Sequence, residues 1–253
     1  MHTLPKTYIN WSSGKDCALC LYKVLQRQSH DVVRLLTTIN AAHNRISMHG
    51  VHRDLLIAQS RALRIPLQTI ELPEMPGMQE YELQMLNAVN ELKDEGCTHA
   101  LFGDIFLEDL RTWRENKLRE AGIVADFPLW KIPTKELIEE FLNLGFRAIV
   151  VCVSAQYLDK SFCGREINRS FINDLPSNVD PCGENGEFHS FVFDGPIFRE
   201  AIPLEKGEVV YRTYPAPKSN DDCFKETEPE EVGFYFCDLS MQNNLANAAY
   251  ANS

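Results

Sequence analysis

The chain has 253 residues, 44% hydrophobic and 24% charged, with a formal charge of −11 and a pI near 5.1. That length holds one large domain or two smaller ones, and the acidic balance argues against a dedicated nucleic-acid binder, whose footprint is a basic patch. No apolar stretch reaches the roughly 18–20 residues that a membrane span needs.

The first ten residues, MHTLPKTYIN, lack the apolar core of a signal peptide. A cytoplasmic location is therefore expected, with the eight cysteines as reduced thiols. KTYINW (6–11) predicts a strand, DCALCLYKVLQ (16–26) a helix, and the β-branched run DVVRLLTTI (31–39) a second strand. A helix over 51–64 stops before Pro66, and LQTIEL (67–72) reads as a strand closed by Pro73. Residues 79–96 place Leu83, Leu86, Val89 and Leu92 on or near one helical face and end at Gly96. THALFGD (98–104) predicts a fourth strand, and 107–122 a charged helix stopped by Gly122.

Strands separated by single helices predict a parallel sheet covered on both faces. In such sheets ligands sit at the carboxyl ends of the strands. Loops 12–16 and 40–50 and the pair Gly103-Asp104 each follow a predicted strand, so they are expected to meet at that edge. After 125–133 the pattern changes. A helix over 134–145 leads into a buried strand, 146–155, which holds Cys152. A helix over 164–176, a loop over 177–198, and strands near 207–214 and 232–238 follow. Residues 1–128 thus form one expected domain and 129–238 a second, with an Asn/Ala-rich loose tail over 239–253.

The segment WSSGKDC (11–17) joins the first strand to the first helix. A Walker loop would need a glycine where Ile9 stands and Ser or Thr where Asp16 stands, and the dinucleotide fingerprint needs more glycines than Gly14 alone. Neither motif fits. Small residues before a helix N-terminus still suit an anion, with Ser12 and Ser13 as donors and Lys15 as a full charge. Asp16 either favours the helix start or accompanies a divalent cation that bridges phosphates. Cys17-x-x-Cys20 reads as core rather than redox centre, because Cys17, Leu21, Val24 and Leu25 make a helical stripe with Cys20 beside it. No second Cys-x-x-Cys answers it, which disfavours zinc. His43, His49 and His52 read as loop histidines rather than a metal cluster.

SSGKDC resembles the Ser-Gly-Gly-x-Asp-Ser loop of the PP-loop ATP pyrophosphatases (N-type). MHGV (48–51), FGDI (102–105), FPLW (127–130) and DPCGENGEFHSFVFDGPIF (180–198) narrow the resemblance to the diphthine–ammonia ligase branch, over nearly the whole chain to about residue 238. The resemblance implies an α/β fold: a Rossmann-like adenine nucleotide α-hydrolase (HUP) domain with a parallel sheet, followed by a smaller C-terminal α+β domain. It implies an ATP-dependent ligase that adenylates a carboxylate, releases AMP and pyrophosphate, and lets ammonia displace AMP, with ATP and Mg2+ as cofactors. The acceptor would be a small-molecule or protein-borne carboxylate, and a homo-oligomer is allowed.

By that resemblance Ser12, Ser13, Gly14, Lys15, Asp16 and Cys17 surround the ATP phosphates, with Lys15 catalytic. Ser13 stands for a glycine and Cys17 for a serine. His49 and Gly103-Asp104 lie on the nucleotide side, Asp16 and Asp104 being the magnesium candidates. Asp104 also fits a ribose contact or a solvated turn. The late block usually reads Glu-Gly-Gly-Glu-aromatic-Glu-Ser/Thr; here it reads Glu184-Asn185-Gly186-Glu187-Phe188-His189-Ser190. Glu184, Asn185, Gly186, Glu187 and His189 are therefore the acceptor-site candidates. Glu187 or His189 would position or deprotonate ammonia. Arg165 would fork onto a carboxylate or pair with a nearby acid. His189 in place of a glutamate disfavours a trimethylammonium substrate such as diphthine, and the ENGEFH pattern looks like a bacterial side-branch, with corrinoid-salvage amidation as one alternative. The others are a tRNA-modifying PP-loop enzyme and a non-catalytic nucleotide sensor.

Overall fold

The structure, a computed structural model, describes residues 3–46, 49–74, 76–215 and 231–242. Its first layer is a six-stranded sheet of β1 (Lys6–Asn10), β2 (Asp31–Asn40), β3 (Arg45–Ile46), β4 (Leu67–Leu72), β5 (His99–Leu101) and β6 (Val124–Asp126). Five strands are parallel, ordered β4-β2-β1-β5-β6. The short β3 pairs antiparallel with the end of β2, at Ile39 and Asn40. Strand order reverses on either side of β1, so the crevice beyond β1 is the topological switch point where open α/β sheets bind ligands.

Helices α1 (Lys15–Arg27), α2 (Arg53–Leu63), α3 (Met78–Asp94) and α4 (Glu108–Ala121) cover the sheet. Alternate side chains of a strand point to opposite faces, and here they feed two cores. Ile9 and Leu35 join α1 and α2 residues such as Leu21 and Leu55. Their neighbours Tyr8 and Leu36 join Val89, Leu92 and Leu118 of α3 and α4. Gly122 ends α4 in the left-handed conformation (φ 75°), its N–H returning to Arg119 and Leu118 as the sequence suggests.

After β6 the chain makes α5 (Thr134–Asn143) and a second, antiparallel sheet. Its strands are β7 (Arg147–Ser154), β8 (Phe188–Asp194), β9 (Leu204–Pro215) and β10 (Glu231–Met241), ordered β8-β7-β10-β9. Phe141 of α5, Val150 of β7 and Phe191 of β8 belong to the same apolar cluster as Ile9 and Leu21, so one core runs through both sheets. Among the described residues no helix is long and apolar enough to cross a membrane.

Three local expectations are corrected. The 177–198 loop contains β8, whose Phe188, Phe191, Val192 and Phe193 are buried against β7 and the first domain's helices. The helix expected over 164–176 shrinks to α6 (Arg169–Asp174), because 164–167 runs beside β7 and bonds to it at Ala148 and Val150. The tail expected over 239–253 does not include its first residues: Leu239, Ser240 and Met241 pair with Lys206, Glu205 and Leu204, and Leu239 is buried. Residues 243–253 lie outside those described, as does Met48 of the MHGV stretch.

Candidate functional site

At the carboxyl ends of β1, β2 and β5 lies a cleft of about 680 Å³ whose far wall is the start of β8. Its lining brings together Ser12, Gly14, Lys15, Asp16, Cys17, His49, Gly103, Asp104, Glu184, Gly186 and His189 from the sequence-derived candidates. Ser13, Arg165, Asn185 and Glu187 do not line it.

The loop after β1 is anchored from below. Ser13 is fully buried, and its carbonyl accepts from Val192 N (3.0 Å) and Gln59 Nε2 (3.1 Å). Gln59, also fully buried, donates to Val192 O at 2.7 Å and accepts from Trp11 Nε1 at 2.7 Å. One amide from α2 therefore fastens the loop to β8. Sequence reasoning missed it, since a glutamine on a helix carries no motif. Ser13 holds φ at 72°, the left-handed region that favours glycine, and its Oγ has no partner. The Ser13 hydroxyl is thus no phosphate donor in this arrangement.

Gly103 lines the cleft and also has a packing reason to be glycine. A Cβ there would come within 2.9 Å of Asp16 C and 3.0 Å of Cys17 N, so only glycine lets the end of β5 approach the N-terminus of α1. Gly14 caps α1, and Lys15 N donates to Ser190 Oγ at 3.2 Å. The Cys17 thiol, expected beside the phosphates, donates to Gly14 O at 3.0 Å and accepts from Ser12 Oγ at 3.5 Å. Burial pushes Cys17 up to about 11 and Cys20 well above the usual thiol range, so both stay protonated core thiols.

Lys15 is buried, and its Nζ meets both Asp16 oxygens at 2.7 Å and the Phe188 ring at 5.9 Å. Burial alone would lower its pKa, but Asp16, the Cys182 side chain and Glu184 outweigh burial and hold it above the ordinary lysine value. Asp104 pairs with Arg114 at 2.5 Å, and Arg114 lies 4.4 Å over the Phe102 ring. Burial raises Asp104, Arg114 opposes this, and Asp16 adds to the rise. Glu184 is pushed up to about 8, by burial first and then by Asp16, with Lys15 opposing and Asp104 and Asp180 reinforcing. Asp16, Asp104 and Glu184 thus act on one another across the cleft. Arg114 was not among the sequence candidates; its position in a charged helix gave no reason to single it out.

The late block divides. Glu187, a sequence candidate for catalysis, is fully buried, and its carboxylate accepts from Asp180 N (2.9 Å), Asn185 N (2.8 Å) and Asn185 Nδ2 (3.0 Å). Those bonds outweigh burial and lower its pKa. It ties the 180–187 turn together and does not line the cleft. Asn185 is exposed and spends its amide on Glu187. His189 does face the cleft and stacks on His49, centroids 4.4 Å apart and planes 23° from parallel. Burial, then Lys15, lowers His189 to about 4. Burial, His189 and Lys15 hold His49 well below the usual histidine range, with the Ser190 backbone partly opposing. Arg165 lies elsewhere: it pairs with Asp174 at 2.6 Å and packs on Phe162 and Phe171. His52 caps α2 by accepting from Asp54 N, and His43 pairs with Glu74 at 2.8 Å.

The family model described as the diphthamide synthase N-terminal domain matches residues 5–125, and the one described as its C-terminal domain matches 133–215. The diphthine–ammonia ligases of Homo sapiens and Bos taurus are each 25% identical over 227 residues, covering 79% of this chain and 82% of theirs. The diphthine–ammonia ligase of Schizosaccharomyces pombe is 31% identical over 104 residues, which are 40% of this chain and 17% of that longer protein.

Proposed function

The chain belongs to the diphthamide synthase family, both of whose domain models it matches in order, and on that premise we propose that it is an ATP-dependent ligase that converts a carboxylate to an amide with ammonia. The observation that carries this is one cleft holding a helix N-terminus, a buried lysine and three carboxylates from separate elements. Its volume of about 680 Å³ suits a nucleotide with part of a second substrate.

In this reading Gly14 and Lys15 sit where the amides and positive end of α1 meet phosphate oxygens. Lys15 leaves Asp16 for the pyrophosphate, neutralising charge as the bond between the α- and β-phosphates breaks. A divalent cation would relieve the mutual repulsion of Asp16, Asp104 and Glu184, and magnesium favours such oxygens together with phosphates. Asp16 and Asp104 are the residues that would hold it. The substrate carboxylate attacks the α-phosphorus, and ammonia then displaces AMP from the acyl group. Burying both substrates against one wall supplies proximity.

Ammonia arrives mostly as ammonium and must lose a proton. His189, held near 4, is too weak a base, and Glu187 is occupied by its own loop. Glu184 faces the cleft, and its burial, the largest cause of its raised pKa, remains when a cation offsets Asp16 and Asp104, so it takes that role. His49 and His189 present neutral rings beside it. That wall lacks the fixed anion that a quaternary ammonium substrate would favour, so a small carboxylate without a permanent cation fits better than diphthine.

Candidate carboxylates with ATP, Mg2+ and ammonia provide the test. The true acceptor yields AMP and pyrophosphate in step with amide, and Lys15→Ala lowers that rate at least 100-fold. ADP and phosphate as products, or an unchanged rate in Lys15→Ala, would overturn the proposal.

A further inference from the structure

Beyond the C-terminus of α1, whose N-terminus borders the cleft, three potential ligands converge that no part of the proposed reaction uses. His30 lies in the turn between α1 and β2, His99 opens β5, and Asp126 closes β6. Their ligand atoms all fall within 4.8 Å of one another, the only such group of His, Cys, Asp and Glu among the described residues. None of the three lines the cleft. We propose that His30, His99 and Asp126 bind a divalent transition metal of the zinc class, as a structural site separate from the nucleotide cleft.

The donor set is two imidazoles and one carboxylate, which suits zinc and its neighbours rather than calcium or magnesium. Two imidazoles on one tetrahedral metal, with metal–nitrogen distances of about 2.0–2.1 Å, place their ring centroids roughly 5 Å apart. The His30 and His99 centroids are 5.6 Å apart with the rings at 71°. His30 Nε2 lies 3.1 Å from Asp126 Oδ2, so small rotations admit an ion between them. The outer contacts are also in place. His30 Nδ1 meets Ser29 Oγ at 2.9 Å, and His99 Nδ1 meets Thr98 Oγ1 at 2.8 Å. In the Nδ1–H tautomer each Nε2 then keeps a free lone pair, as histidine ligands in metal sites do.

The location gives the site a purpose. β5 and β6 are three residues each, and β6 has a partner on one side only. A metal here fixes that edge to the end of α1 and so braces the strand that delivers Gly103 against the α1 N-terminus. The side chains are half-buried, with His30 13% and Asp126 38% exposed, so water completes the coordination shell and the ion exchanges with solvent.

Titrating the chelator-treated, tag-free full chain with zinc chloride by calorimetry, and with cobalt chloride by visible absorption, tests the site. One zinc per chain is expected, with a rise in melting temperature and a cobalt spectrum of tetrahedral intensity. His30→Gln, His99→Gln and Asp126→Asn are each expected to weaken zinc at least tenfold while leaving the metal-free melting temperature and ATP turnover near wild type. Absence of binding by the wild-type chain, or unchanged stoichiometry and affinity in all three variants, overturns the proposal. The first outcome leaves a plain His30–Asp126 contact, and the second places the metal elsewhere.

Discussion

His49 and His189 come from opposite halves of the chain, yet their rings stack at 4.4 Å and share one side of the cleft with Lys15. Burial and Lys15 depress the protonation of both rings, and His189 adds to the effect on His49, so at neutral pH the pair is an uncharged aromatic face.

That arrangement makes stability depend on acid in a predictable direction. His189 titrates near 4 when folded and near the ordinary 6.5 when unfolded. Between those values the unfolded chain holds the extra proton, so stability falls as pH drops through the window and is retained above it. At pH 5 the single group costs about 2 kcal/mol. Urea unfolding at pH 7.5 and pH 5 is expected to show at least this loss in the wild type, because His49 is depressed as well, and His189→Gln is expected to remove the His189 share. An equal loss in both proteins would mean that His189 is not buried neutral.

Ser13 offers a test of backbone strain. Its φ of 72° and its partnerless buried hydroxyl both cost stability, and glycine removes both. After allowing for the greater freedom of glycine in the unfolded chain, Ser13→Gly is expected to stabilise by about 1–2 kcal/mol. Ser13→Ala keeps the strain and removes the hydroxyl, so it should gain less. A shift in urea midpoint that ranks Ala above Gly would show that the left-handed angle is not the source of the cost.

The parallel sheet and the loops that converge at its edge were legible because periodicity and loop chemistry are local. The strand LQTIEL and the Gly122 stop are read residue by residue, and both appear as expected. What was not legible depends on tertiary partners. Phe188–Asp194 looks like loop beside its glycines and becomes a strand because β7 supplies a ladder and the first domain supplies apolar cover. Glu184 and Glu187 are equivalent as letters. Only the fold shows that backbone amides claim Glu187 while Glu184 meets other carboxylates. Gln59 and Arg114 work through residues distant in sequence, and no spacing rule reports them.

Those two glutamates separate structure from chemistry in one experiment. Glu187→Gln removes charge from a carboxylate that three donors satisfy, which is expected to destabilise by about 1–3 kcal/mol, with the remaining folded protein active. Glu184→Gln relieves repulsion instead. The folded pKa of Glu184 lies above its unfolded value, so its penalty grows as pH rises from about 4.5 to about 8. The amide variant is accordingly expected to be as stable as the wild type, or more so, at pH 7.5. Its activity should split by step. Carboxylate-dependent exchange of pyrophosphate into ATP continues within a few-fold, while amide formation falls at least 100-fold at neutral pH. Loss of both steps together would make Glu184 a metal ligand rather than the proton acceptor, and retention of both would remove it from the reaction.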